Sequence, residues 1–295
     1  MQSLWMLCAA FAFALMTASV KLASDFFTTA EIVFARGVLG ALFILGVMAL
    51  QGGCSLKTAY PKQHLLRGIV GATSQWLWLF SYTLLPVAMA TTINSTSSIW
   101  IIVIMFGIAL YKREKQFQWG LAGAIMLSFV GVALLLRPSV DDTQFTGSMI
   151  GLISSFTTAL VFMQIRHLGQ LGEPEYRIVF YFSITCIVLG LLGCWYLGII
   201  PFSTHLETYP LLLILGMGVT STVGQLAMTR AYRYGNALIV ANLQYSSIIF
   251  TSILGIVIWQ DQLDWLGWAS ILLILTSGLG ATFYNHRANR AKATS

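Results

Sequence analysis

Ten apolar runs separated by short polar connectors dictate what this chain can fold into: approximately 3–23, 30–50, 66–85, 88–111, 117–137, 146–166, 177–199, 209–231, 237–259 and 265–285. A helix needs about 20 apolar residues to cross the hydrocarbon core of a bilayer, and each run is close to that length. Composition agrees: 57% of the residues are hydrophobic and 9% are charged. A soluble domain carries roughly a quarter charged residues, so the charges here are too few to coat a globule. The spans use up most of the 295 residues and leave no room for a soluble domain. The expected fold class is an all-α integral membrane protein of ten transmembrane helices.

The net charge of +6 is a matter of topology rather than of nucleic-acid binding. With a cytoplasmic N-terminus, every basic residue except Lys21, Arg36 and Arg137 falls on the inner side. Connector 111–116 is basic, whereas 140–144 and 260–264 are acidic. The positive-inside rule therefore places both termini in the cytoplasm. Arg67, beside Lys62, is read with this inner set.

Part of the chain is written twice. Glu114, Gly120 and Gly131 recur, at the same intervals, as Asp261, Gly267 and Gly278. Ser81-Tyr82 is echoed by Ala231-Tyr232, and Thr96-Ser97-Ser98 by Ser246-Ser247. Ala14-Leu15 and Lys21 match Ala159-Leu160 and Arg166. An odd number of helices per half puts Lys21 and Arg166 on opposite sides of the membrane, the arithmetic of an inverted repeat. The expected units are 1–142 and 143–295, five helices each.

Five spans carry polar or aromatic stripes at helical spacing: Gln75, Trp78 and Tyr82; Thr91, Asn94 and Ser98; Ser154, Thr157 and Thr158; Ser221, Gln225 and Thr229; Asn242, Tyr245 and Ser246. Lipid offers polar groups no partners, so these faces turn inward. A single Ser or Thr is most simply helix–helix glue. The amides are harder to satisfy by packing. Together with Arg36, the most deeply placed charge, they predict a cavity lined by Arg36, Gln75, Trp78, Tyr82, Asn94, Ser98, Thr158, Gln225, Asn242 and Tyr245. Arg36 has structural alternatives, snorkelling or pairing with Glu31. Read as the only fixed charge of the lining, it favours a neutral or zwitterionic solute. Glu114 and Asp261 sit at helix corners, where a carboxylate supports the next helix N-terminus.

No phosphate-binding loop, zinc-protease motif, nucleophile elbow or paired CxxC occurs. ATP hydrolysis, zinc chemistry and triad chemistry thus lack their required groups. Neither a cofactor nor a metal is expected. The four cysteines form no framework. All four histidines lie in or beside connectors, which argues against a proton relay and for weak dependence on any one carboxylate. The expected partners are a small-molecule substrate and the lipid bilayer, with no nucleic acid; a homodimer is left open.

On these residues the chain resembles the drug/metabolite transporter superfamily, in its ten-helix EamA-type branch. Phe34-Ala35-Arg36 after an Ala/Phe-rich first helix looks like the family's opening, and 130–138 its usual close to the first repeat. The stretch 231–237, running on to Gln244-Tyr245 and Asp261, is similar to the signature of the second repeat. The chain departs from the family in having Ser98-Ile99-Trp100 where proline is frequent, and Asp261 where glutamate is usual. The resemblance implies inverted repeats around a central cavity, lined by segments one, three, four, six, eight and nine, and transport of small metabolites by alternating access. The expected activity is secondary transport at the cell inner membrane, with export as the direction. The rivals are a passive channel, a receptor-like scaffold, or an intramembrane enzyme.

Overall fold

The computed structural model describes residues 2–51, 55–85, 90, 93–111, 119–136, 142–202, 207–260, 264–277 and 280. All regular structure among them is helical. The helices are α1 (Trp5–Ala23), α2 (Thr29–Gln51), α3 (Pro61–Leu84), α4 (Ser97–Tyr111), α5 (Trp119–Leu136), α6 (Asp142–Gln170), α7 (Glu175–Tyr196), α8 (Thr208–Tyr234), α9 (Ala237–Leu243) and α10 (Ser246–Trp259), followed by α11 (Trp265–Ser277). Seven described stretches are long and apolar enough to cross a membrane: Gln2–Ala23, Thr29–Leu50, Ile93–Tyr111, Phe145–Gln170, Glu175–Tyr196, Thr208–Tyr234 and Ala237–Ile258. The three other expected spans correspond to α3, α5 and α11. Helix α3 has the length but is diluted by Arg67, Gln75 and several hydroxyls. The predicted corners Glu114 and Asp261 lie outside the described residues, as does Thr91.

Polarity is inverted relative to a water-soluble domain. Along α8, Leu212, Leu215, Val219 and Val223 form an exposed apolar stripe, while Ser221, Thr222 and Thr229 are buried. An apolar outer face and a hydroxyl-rich inner one suit a bundle surrounded by lipid.

The most extensive packing joins α1 to α8, α2 to α7 and α3 to α6. At the α2–α7 crossing the backbones touch. A Cβ on Gly37 would stand 2.6 Å from the Ile187 nitrogen, and one on Gly190 would stand 2.6 Å from the Phe34 nitrogen. The α3–α6 seam is held instead by a reciprocal pair. Ser74 Oγ donates to the Ser154 carbonyl at 3.1 Å, and Ser154 Oγ donates to the Ser74 carbonyl at 3.0 Å. Small residues and interhelical hydroxyls are what hold helices together where lipid removes the hydrophobic incentive.

Two helical stretches are interrupted. The turn at Thr96 separates Ile93–Ser95 from α4, and the turn at Gln244-Tyr245 separates α9 from α10. At the first break Thr96 Oγ1 donates to the Ile93 carbonyl at 2.6 Å, a side-chain bond to the preceding turn of the kind that bends a helix. Asn236 starts α9 by accepting from the Leu238 and Ile239 nitrogens.

Polar latches tie the ends of the bundle. Thr28 and Glu31 form a capping box at the start of α2, and the second Glu31 oxygen accepts from the Phe202 nitrogen at 3.1 Å. At the opposite end Glu173 accepts from Thr58 at 2.8 Å and from Arg177 at 2.9 Å, with His64 Nε2 at 3.2 Å. Burial alone would raise the Glu173 pKa, but these hydrogen bonds and the Arg177 charge leave it below its ordinary value. Arg177 also donates to the Ser55 carbonyl, and Arg233 pairs with Glu175 at 3.0 Å.

Candidate functional site

A cavity of about 190 Å³ opens inside the bundle beside both helix breaks. Its wall comes from α1 (Phe13, Thr17), α3 (Ser74, Gln75, Trp78), the first break and α4 (Asn94, Ser95, Ser98), α6 (Thr158, Phe162), α8 (Gln225, Met228), and the second break with α10 (Gln244, Tyr245, Ser247). Helices α2 and α7 add Arg36 and Phe182, and α3 adds Arg67 and Gly71.

Eight of the ten predicted lining residues meet on this wall: Arg36, Gln75, Trp78, Asn94, Ser98, Thr158, Gln225 and Tyr245. Tyr82 lies in the last turn of α3, and its side chain is outside the described residues. Asn242 requires a correction. Its Nδ2 donates to Ser128 Oγ on α5 at 3.4 Å, away from the cavity. Helical spacing from Tyr245 placed Asn242 inward, but the break at Gln244-Tyr245 interrupts that register.

The wall residues differ in how they are used. Ser98 Oγ donates to the Ala241 carbonyl at 3.0 Å, and Thr158 shares a 2.7 Å hydrogen bond with Ser74. These two join the helices while forming the wall. The amide oxygens of Asn94 and Gln225 have no hydrogen-bond partner among the described residues, which leaves two acceptors for a solute or for water.

The second correction concerns charge. Arg36 is not the only cation of the lining. Arg67 stands not with the exposed connector cations but at 2% exposure inside the bundle, and Arg36 is 8% exposed. Both guanidinium groups lie against one ring, Phe182, at 4.4 Å for Arg67 and 5.7 Å for Arg36. Glu31, the acid suggested for Arg36, is committed to Thr28 and Phe202. No ion pair to either arginine forms among the described residues, and Nε and Nη1 of Arg67 have no hydrogen-bond partner there.

A cation–π contact returns about 0.5–2 kcal/mol, whereas taking an ion out of water costs several kcal/mol. Phe182 therefore offsets only part of the cost of burying the two charges. Side chains on a helix normally lean toward its N-terminus, which would carry Arg67 outward. It lies instead over Gly71, one turn further in, where an added Cβ would collide with Arg67 Nη1. That glycine was the signal in the sequence that could have separated Arg67 from the topological cations.

An apolar helical bundle around a polar, solute-sized cavity is the architecture of a membrane transporter. The chain belongs to the EamA-like transporter family, whose profile matches residues 1–137 and again 145–283. It is accordingly a multi-pass membrane protein. It is 30% identical over 272 residues to the pseudopaline exporter CntI of Pseudomonas aeruginosa, covering 91% of both chains. It is 26% identical to the riboflavin transporter of Vibrio cholerae, over 92% of this chain and 90% of that one. It is 21% identical to the S-adenosylmethionine uptake transporter of Rickettsia prowazekii, over 79% and 76%. A solved crystal structure shares the fold with a TM-score of 0.80 at 12% identity, covering 97% of this chain and 98% of the other.

Proposed function

We propose that this protein is a secondary transporter of a small organic metabolite, amino-acid-like in size, working by alternating access to the cavity. The observation that carries this reading is the position of the cavity at two helix breaks, one in each half of the chain. Interrupted helices expose backbone and side-chain dipoles at the depth where carriers hold their solutes. Residues 1–142 and 143–295 act as two five-helix repeats of opposite orientation, giving ten crossings. The duplicated family match supports this. So does the packing: α1 with α8, α2 with α7 and α3 with α6 exchange the first and third helices of the two halves, as an axis in the membrane plane would.

In this reading the protein sits in the cell inner membrane with both termini in the cytoplasm, an orientation that the distribution of basic residues supports. Export is the direction, in line with the name of the Pseudomonas relative. No chemical step is part of the cycle. The test is counterflow in proteoliposomes loaded in turn with members of a metabolite library. A carrier exchanges labelled for unlabelled solute across the membrane. A protein that passes solutes without exchange, or exchanges none, is a channel or a scaffold and not this carrier.

A further inference from the structure

We infer that the cavity binds a small organic solute with two carboxylate groups through Arg36 and Arg67. This rests on the transporter reading and names its substrate class. Both arginines are more than nine-tenths buried, both line the cavity and both share the Phe182 ring. Among the described lining residues there are two arginines and no Asp or Glu, so that part of the wall carries two formal positive charges and no negative one.

A structural role is a poor account of this pair. Structural arginines in membrane proteins meet a carboxylate, a row of carbonyls or the lipid head groups. Among the described residues neither arginine forms an ion pair, Nε and Nη1 of Arg67 have no hydrogen-bond partner, and burial keeps both side chains from the surface. Gly71 leaves open the space into which the Arg67 guanidinium folds, and an alanine Cβ there would make it shift. A planar fork of N–H donors matches a carboxylate, and two forks on one ring match two carboxylates on one short chain. The free amide oxygens of Asn94 and Gln225 suit a donor on the same solute, such as an amine.

The experiment uses purified full-length protein in phosphatidylcholine vesicles, free of anionic lipid. Binding and counterflow are measured for matched solutes: glutamate against glutamine, succinate against succinamide, and citrate, with inorganic phosphate and sulfate as non-carboxylate dianions. At least one dicarboxylate should bind tenfold or more tightly than its amide partner, and than either inorganic ion. R36Q and R67Q should each abolish that preference, with R36K and R67K recovering part of it, while the variants stay monodisperse. G71A should weaken the preference less than R67Q does, because the added Cβ makes the Arg67 guanidinium shift without removing its charge.

Equal binding of acid and amide, or unchanged preference in both glutamine variants, overturns the inference. So does a panel in which no dicarboxylate is preferred. Counterflow of metabolites with fewer than two carboxylates that ignores both arginines would overturn it while leaving the transporter reading intact. The absence of counterflow for any metabolite would count against the transporter reading itself.

Discussion

The two halves of the chain match in how they are joined and differ in what they bring to the cavity. Gly37 on α2 and Gly190 on α7 make equivalent backbone contacts, and Ser74 on α3 and Ser154 on α6 exchange equivalent hydrogen bonds. Each half has one helix broken beside the cavity. Yet both buried cavity arginines come from the first half, and the second half answers them with a phenylalanine. Joints between helices tolerate few side chains, so duplication preserves them. The wall of a cavity obeys no such steric rule, and the halves diverge there.

The most damaging way to break the symmetric part is to thicken the α2–α7 crossing. Overpacking typically costs about 1–3 kcal/mol where side chains can yield. Here the nearest atoms are backbone, so Gly37→Val and Gly190→Val should each abolish the monodisperse peak in size-exclusion chromatography. Gly46→Val, where an added Cβ meets nothing within 4 Å, should behave as wild type. Should all three behave alike, the crossing is not the joint described above.

The asymmetric part can be tested without harming the fold. Replacing buried charges by apolar side chains of similar volume is often neutral or stabilising by about 1–4 kcal/mol. The double variant R36M/R67M should therefore melt no lower than wild type, yet lose transport in proteoliposomes. A large fall in Tm would mean that the arginines hold the bundle together.

Smaller effects sharpen the picture at the seams. Interhelical hydrogen bonds in membranes average about 0.6 kcal/mol, so Ser74→Ala and Ser154→Ala should each lower Tm slightly. Because they are reciprocal, the double variant should fall short of the sum. The smallest effect belongs to Glu173. Its folded pKa lies below the ordinary 4.5, so its contribution to stability is complete above that pH and is lost as pH falls through the lowered value. Thermal melts from pH 7 to pH 3 should steepen below 4.5 in wild type and less so in Glu173→Gln.

Most of the cavity was legible in the sequence because an amide or an arginine stands out in an apolar helix. Gln75, Asn94 and Gln225 needed only helical spacing to be placed inward. Asn242 misled the same argument because periodicity holds only along an unbroken helix, and the chain turns just beyond it at Gln244-Tyr245. Arg67 was hidden by position. It lies in the second turn of α3, near Lys62, where basic residues ordinarily mark the cytoplasmic side. Its inward course depends on Gly71, a residue that carries no polarity signal of its own. The apolar runs and the internal repetition revealed the helical membrane fold, but not the lengths: α3 starts at Pro61, ahead of its apolar run, because proline suits the first turn of a helix.

The bare contact at Gly37 and Gly190 has one more implication. Two rods that touch with no knobs between them have nothing to unmesh when they swivel, whereas sliding either along its axis drives the neighbouring Cβ atoms of one into the spine of the other. In the alternating-access cycle proposed above this crossing would act as a pivot, and it stands directly beside the cavity wall, since Gly37 follows Arg36 in the chain.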